Sequence, residues 1–265
     1  MGLMEIRDGV RLYVDDRGRG GPPVVFVHAW SMSHRLWENQ VAALMPHHRT
    51  IAYDQRGHGA SDKPDGDYTM LAYAQDLDAL LDKLAVKDAV LVGWSMGVWV
   101  VTTYMHHFAG RRIKKLGLVG GVPLLVNRDG WEHGMPPEVM QQLAMQLVAD
   151  RALATQAFYK QLLNQNASQA MLDWIVRTSL DTPLAGAMAS FQSVATDDLR
   201  PLLGSIRVPT GVFHGVQDGV PLSGARAMCE LIANAKLYTF EHSGHFPHLE
   251  ESQAFTQALA RFIAE

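Results

Sequence analysis

Ala89-Val90-Leu91-Val92-Gly93-Trp94-Ser95-Met96-Gly97 is an apolar run that ends in a G-x-S-x-G turn and opens a helical stretch toward His107. The apolar part has the length of a buried strand. In such a strand-turn-helix the serine occupies a sharp, strained bend. Glycines flank it because a Cβ there would collide with neighbouring backbone. Ser95 Oγ is therefore expected to project above a sheet as a candidate nucleophile. The plainer alternative is a structural turn of small residues, and the rest of the chain decides between them.

Working outward, similar short apolar runs recur at Val24-Val25-Phe26-Val27, Thr50-Ile51-Ala52-Tyr53, Leu116-Gly117-Leu118-Val119 and Thr210-Gly211-Val212-Phe213. They alternate with longer helical patterns, which predicts a mostly parallel sheet covered by helices. Met4 to Arg7 and Val10 to Asp15 flank Asp8-Gly9 and read as an opening antiparallel hairpin, so the sheet is mixed. Between about Leu124 and Arg200 the strand pattern stops. Pro137 to Arg151 and Ala154 to Leu163 show helical spacing instead, with Pro136-Pro137 suited to a first turn and Pro183 and Pro201 marking breaks. The expected organisation is an α/β core over 1–123 and 201–265, with a helical cap inserted at 124–200.

Two partners for Ser95 follow in chain order. Asp218, in His214-Gly215-Val216-Gln217-Asp218, comes after the strand ending at Phe213, and His245 sits in Ser243-Gly244-His245-Phe246. A serine alcohol is a weak nucleophile at neutral pH. A neutral imidazole must accept its proton, and a carboxylate must hold the imidazole's tautomer. Ser95, His245 and Asp218 supply those three groups. Val27-His28-Ala29-Trp30 follows an early strand, where acyl transfer needs a backbone donor for the oxyanion. Trp30 N–H is assigned that part, and Met96 N–H, at a helix start, is the second donor. His28 reads as an orienting group for this loop rather than a second base.

Of the 265 residues, 48% are hydrophobic and 19% charged, which suits a globular chain with a large core. The net charge of −4 is spread along the sequence, giving no support for nucleic-acid binding. The segment from Met1 to Asp8 lacks an apolar signal region, and no stretch approaches the length of a membrane span. A cytoplasmic location is the expectation. Cys229 is the sole cysteine, which excludes an intrachain disulfide and suits a reducing compartment; it reads as packing rather than as a catalytic thiol.

Taken together, His28-Ala29-Trp30, the loop Asp54-Gln55-Arg56-Gly57-His58-Gly59-Ala60-Ser61-Asp62, Gly93 to Gly97, Gly215-Val216-Gln217-Asp218 and Gly244-His245 resemble the α/β-hydrolase superfamily. The likeness spans nearly the whole chain. It is strongest to cofactor-free aryl esterases, non-haem haloperoxidases and serine N-acyl homoserine lactonases. The resemblance implies the α/β-hydrolase fold and a structural part for the Asp54 to Asp62 loop. Two positions depart from the pattern. Ala29 stands where glycine is usual, adding a methyl group to a tight loop. Ser31 follows Trp30 where haloperoxidase and perhydrolase relatives often carry proline, and its presence favours ordinary hydrolysis. Serine at 95 argues against dehalogenase and epoxide hydrolase relatives, which attack with aspartate.

His242, His245 and His248 recur at a spacing of three, but Gly244 and Pro247 oppose a continuous helix, and no zinc-binding histidine run occurs. Neither a metal nor another cofactor is expected. His47-His48 and His106-His107 read as surface pairs. In the cap, methionines and aromatics mix packing with an adaptable acyl pocket. Tyr159, Met188 and Phe246 are the residues expected to touch substrate, Tyr159 through its hydroxyl. The expected reaction is hydrolysis of a small-molecule ester or lactone, N-acyl homoserine lactones included, by a monomer or homodimer acting without nucleic acid or membrane. Perhydrolysis or halogenation, carbon–carbon bond hydrolysis, and a ligand receptor on a hydrolase scaffold remain open alternatives.

Overall fold

A computed structural model describes residues 2–7, 9–128 and 130–265. Its centre is an eight-stranded sheet in the order β1-β2-β4-β3-β5-β6-β7-β8. The strands are β1 (Gly2–Arg7), β2 (Val10–Arg17), β3 (Val24–Val27), β4 (Thr50–Tyr53), β5 (Ala89–Trp94), β6 (Ile113–Val119), β7 (Thr210–Gly215) and β8 (Ala235–Phe240). β1 and β2 form the expected antiparallel hairpin, and β2 also runs antiparallel to β4. Every other pairing is parallel. Of the Asp8-Gly9 turn, Asp8 lies outside the described residues, as does Met1; Gly9 has a φ of 73°.

The five apolar runs are the five central parallel strands. β3, β4 and β5 are buried along their whole length, as a sheet covered on both faces requires. β8 escaped the sequence reading because it is an edge strand with only Phe240 buried, so it presents no continuous apolar run. The helices are α1 (Glu38–Leu44), α2 (Met70–Lys83), α3 (Met96–His107), α4 (Pro137–Ala149), α5 (Arg151–Leu162), α6 (Gln169–Leu180), α7 (Leu184–Thr196), α8 (Arg200–Leu203), α9 (Leu222–Leu231), α10 (Pro247–Glu250) and α11 (Ser252–Ala264). α4 to α7 fall between β6 and β7, where strand patterning stops. Pro137 occupies the first position of α4, and the Asp150 carboxylate caps α5 by accepting from Leu153 N at 3.0 Å.

The loop after β4 is tied by polar contacts. Asp54 accepts from His34 N, His34 Nδ1 and Ala60 N at 2.6 to 2.8 Å. Burial pushes this carboxyl up, but the His34 contacts outweigh it and hold it below its usual range. Further on, Asp76 of α2 takes Arg56 bidentately, at 2.5 and 2.6 Å, and Arg7 at 2.7 Å. Among the described residues no helix is long and apolar enough to cross a membrane.

Candidate active site

Ser95 sits between β5 and α3 with φ 52° and ψ −118°, a conformation that costs a residue with a Cβ about 1–3 kcal/mol. The surrounding chain holds it there: Ser95 N donates to Val119 O at 2.8 Å, and Val98 N donates to Ser95 O at 2.7 Å. The bend is tight enough to need both glycines. A Cβ on Gly93 would lie 2.4 Å from Gly97 O, and one on Gly97 would lie 2.5 Å from Val27 O. The backbone amides at the start of α3 are thereby brought up beside β3.

The turns after β7 and β8 bring Asp218 and His245 together. His245 Nδ1 lies 2.8 Å from Asp218 Oδ2, and the carboxylate is fully buried. Its other oxygen accepts from Val220 N at 2.8 Å. With Nδ1 donating to the carboxylate, Nε2 carries the free lone pair. Ser95 and His245 line one cavity of about 270 Å³. Burial keeps the neighbouring His214 below its usual range; its Nε2 donates to Val220 O at 3.0 Å, which steadies the turn that carries Asp218.

His245 is clamped from three sides, by Leu162, Trp94 and Glu250. Its N–H donates to Leu162 O at 2.8 Å, and its carbonyl accepts from Trp94 Nε1 at 2.9 Å. The Glu250 carboxylate accepts from the flanking Gly244 N and Phe246 N at 2.9 and 3.1 Å, and from Asn164 N at 2.5 Å. Asn164 also donates through Nδ2 to Gln217 Oε1 at 2.7 Å, beside Asp218. The segment just beyond α5 therefore braces both loops. Trp94 lies inside the serine motif and was visible there. Nothing local in sequence links Asn164 to Glu250, 86 residues away.

Trp30 and Met96 line the same cavity as Ser95. Among the described residues neither backbone N–H has an acceptor within the protein. Trp30 is fixed at both ends, its indole donating to Ala187 O of α7 at 2.8 Å and its carbonyl accepting from Tyr159 Oη at 3.2 Å. His28 engages both ring nitrogens, Nδ1 with Ala29 O at 2.8 Å and Nε2 as acceptor from Gln55 N at 3.0 Å. Burial pushes this ring down to about 4, so it stays neutral and orients the loop. Ala29 has no left-handed φ, so its methyl group adds no backbone strain; the positive φ falls on Ser31, at 53°. Proline fixes φ near −65°, so it does not fit this backbone.

The three residues expected to touch substrate are placed differently. Tyr159 lines the cavity, but its hydroxyl is spent on the Trp30 carbonyl and on Ser179 Oγ, so the carbonyl it meets belongs to the protein. Met188 is half-buried against the core and does not line the cavity. Phe246 is fully buried behind the wall, with its ring 4.9 Å from Trp94 and 5.8 Å from His245. His248 is buried between Trp37 and Trp94, at 4.5 Å from each. No group of three His, Cys, Asp or Glu side chains among the described residues is arranged to hold a metal. Cys229 is half-buried on α9, and burial raises its thiol.

Comparison with known proteins agrees with this architecture. Residues 22–252 match the family described as alpha/beta hydrolase fold. The chain is 34% identical to a non-heme chloroperoxidase from Streptomyces lividans, over 92% of this chain and 93% of that one. An esterase from Exiguobacterium antarcticum superposes with a TM-score of 0.96 at 31% identity, covering 100% of both chains. Est816, described as an N-acyl homoserine lactone degrading enzyme, superposes with a TM-score of 0.84 at 26% identity, over 98% of this chain and 99% of its own. With its sheet order, its serine turn and these matches, the chain belongs to the alpha/beta hydrolase fold family.

Proposed function

We propose that this protein is a serine hydrolase of carboxylic esters or lactones. The reading is carried by one observation: Ser95, on its strained turn, shares a cavity with His245, whose far nitrogen is bonded to a buried carboxylate. Ser95 Oγ attacks the substrate carbonyl while His245 Nε2 takes its proton, and Asp218 stabilises the imidazolium that forms. The amides of Trp30 and Met96 receive the developing oxyanion. Collapse breaks the ester bond, and His245 protonates the departing alcohol, which stays tethered when the substrate is a lactone. Water then attacks the acyl-enzyme with His245 again as base. Every proton is handed between Ser95, His245, substrate and water.

The likeness to Est816 makes an N-acyl homoserine lactone the first lactone to assay. Perhydrolysis is the second reading, favoured by the likeness to the Streptomyces lividans protein. Against it stands Ser31, whose left-handed backbone does not fit the proline that such relatives often carry there. The test is turnover of p-nitrophenyl butyrate and of a medium-chain N-acyl homoserine lactone, with and without peroxide. Peroxide-independent hydrolysis that Ser95→Ala abolishes is the expected result. Undiminished hydrolysis by a rigorously purified Ser95→Ala protein, or activity only with peroxide, would overturn it.

A further inference from the structure

The cavity is chemically divided. At its inner end stand Ser95, His245 and the free backbone amides of Trp30 and Met96, and the other inner side-chain polar groups are spent on the protein: the indoles of Trp30 and Trp94 and the hydroxyl of Tyr159 all bond to backbone carbonyls. The walls are apolar, and among the described residues no Asp, Glu, Lys or Arg lines the cavity. At its outer end three side-chain amides remain, Gln142 and Gln146 of α4 and Gln161 of α5. All three are solvent-exposed as well as cavity-lining, which sets them at the mouth. None has a hydrogen-bond partner among the described residues. Spacing of four places Gln142 and Gln146 on one face of α4.

The mouth is not polar throughout: Val139 of α4 and Ala157 of α5 also line the cavity and are exposed. Among the described residues that do both, only the three glutamines carry hydrogen-bonding side chains. A charged group drawn inside would lose hydration and meet no counter-charge, which is costly. An amide or hydroxyl stopping at the mouth would find both donors and acceptors on the glutamines.

We infer that Gln142, Gln146 and Gln161 form a selectivity rim for uncharged acyl substrates with an apolar body and a hydrogen-bonding group remote from the scissile carbonyl. The inference rests on the hydrolase reading above. The test measures kcat/KM of the purified protein for two matched pairs of esters. In the first pair, mono-p-nitrophenyl adipate should be slower than p-nitrophenyl hexanoate, on the order of 100-fold, because its carboxylate enters the uncharged cavity. In the second, p-nitrophenyl 8-acetamidooctanoate, whose amide lies beyond the depth of the adipate carboxylate, is compared with p-nitrophenyl undecanoate, in wild type and in the Gln142→Leu/Gln146→Leu double variant. Losing two neutral hydrogen bonds should shift that ratio about three- to thirtyfold toward undecanoate. Both positions are exposed, and an unchanged melting curve verifies folding. Adipate turned over as fast as hexanoate, or a ratio the double variant leaves unmoved, overturns the rim alone. Failure of the wild type to hydrolyse hexanoate overturns the hydrolase reading and the rim with it.

Discussion

The loops around Ser95, Asp218 and His245 are held by directional bonds, whereas α4, which contributes to the cavity wall, is held by apolar contact. Asp54, Asp76, Asp218 and Glu250 each gather two or more donors, at least one of them from a distant segment. From α4, only Met140, Leu143 and Leu147 are buried, and among the described residues no α4 side chain makes a hydrogen bond or ion pair. The rest of the chain between β6 and β7 falls between these extremes: α7 holds the Trp30 indole and, through Ser193 Oγ, the Tyr68 carbonyl, while the end of α5 braces His245 through Leu162 O. Reacting groups need positions fixed to fractions of an ångström, and hydrogen bonds supply that. A wall that accommodates an acyl chain needs only to exclude water, and contact without direction does so while permitting adjustment.

The contrast is broken most severely at Asp218. Asp218→Asn leaves the shape of the site but favours the wrong imidazole tautomer, so kcat should fall by about 10⁴-fold in ester assays, with the circular dichroism spectrum unchanged. Next comes Asp76→Asn, which strips Arg56 of its counter-charge where both side chains are almost fully buried. Stability should drop by about 3–5 kcal/mol, read as a lower denaturant midpoint.

Acid should attack the same region. Burial pushes His28 down to about 4 and His58 to about 3, and it also lowers His214 and His248. His28 and His58 lie on loops, His214 on β7 and His248 on α10, and none belongs to α4–α7. Unfolded histidines bind protons near pH 6.5, so across the interval from about 6.5 to 4 the unfolded chain binds more protons than the folded one. Stability is therefore full above that window and is lost as pH falls through it. His28 alone contributes on the order of 3 kcal/mol, seen as a falling melting temperature. At the small end, Met145→Ser on the outer face of α4 should change stability by less than about 0.5 kcal/mol. A loss of several kcal/mol there would show that α4 is anchored as firmly as the loops.

The same contrast explains what could be read in the sequence. Strands buried on both faces appear as unbroken apolar runs, and a bend that tolerates no Cβ appears as glycines around Ser95; such demands are local and leave local marks. The hairpin, the parallel core and the start of α4 at Pro137 were legible for that reason. β8 was not, because an edge strand carries a mixed pattern. Tyr159 was placed at the cavity, but the target of its hydroxyl was not foreseeable, since Trp30 lies 129 residues away. Met188 and Phe246 show the limit of composition: an apolar side chain suits a pocket and the packing behind it equally well, and only the fold separates them.

The most direct test of Ser95 as nucleophile is intact-mass and peptide-mapping mass spectrometry on protein quenched during turnover of a p-nitrophenyl ester. The expected result is one acyl group per chain, located on the peptide bearing Ser95 and absent from Ser95→Ala. An adduct on any other residue, or steady turnover by Ser95→Ala, would contradict it.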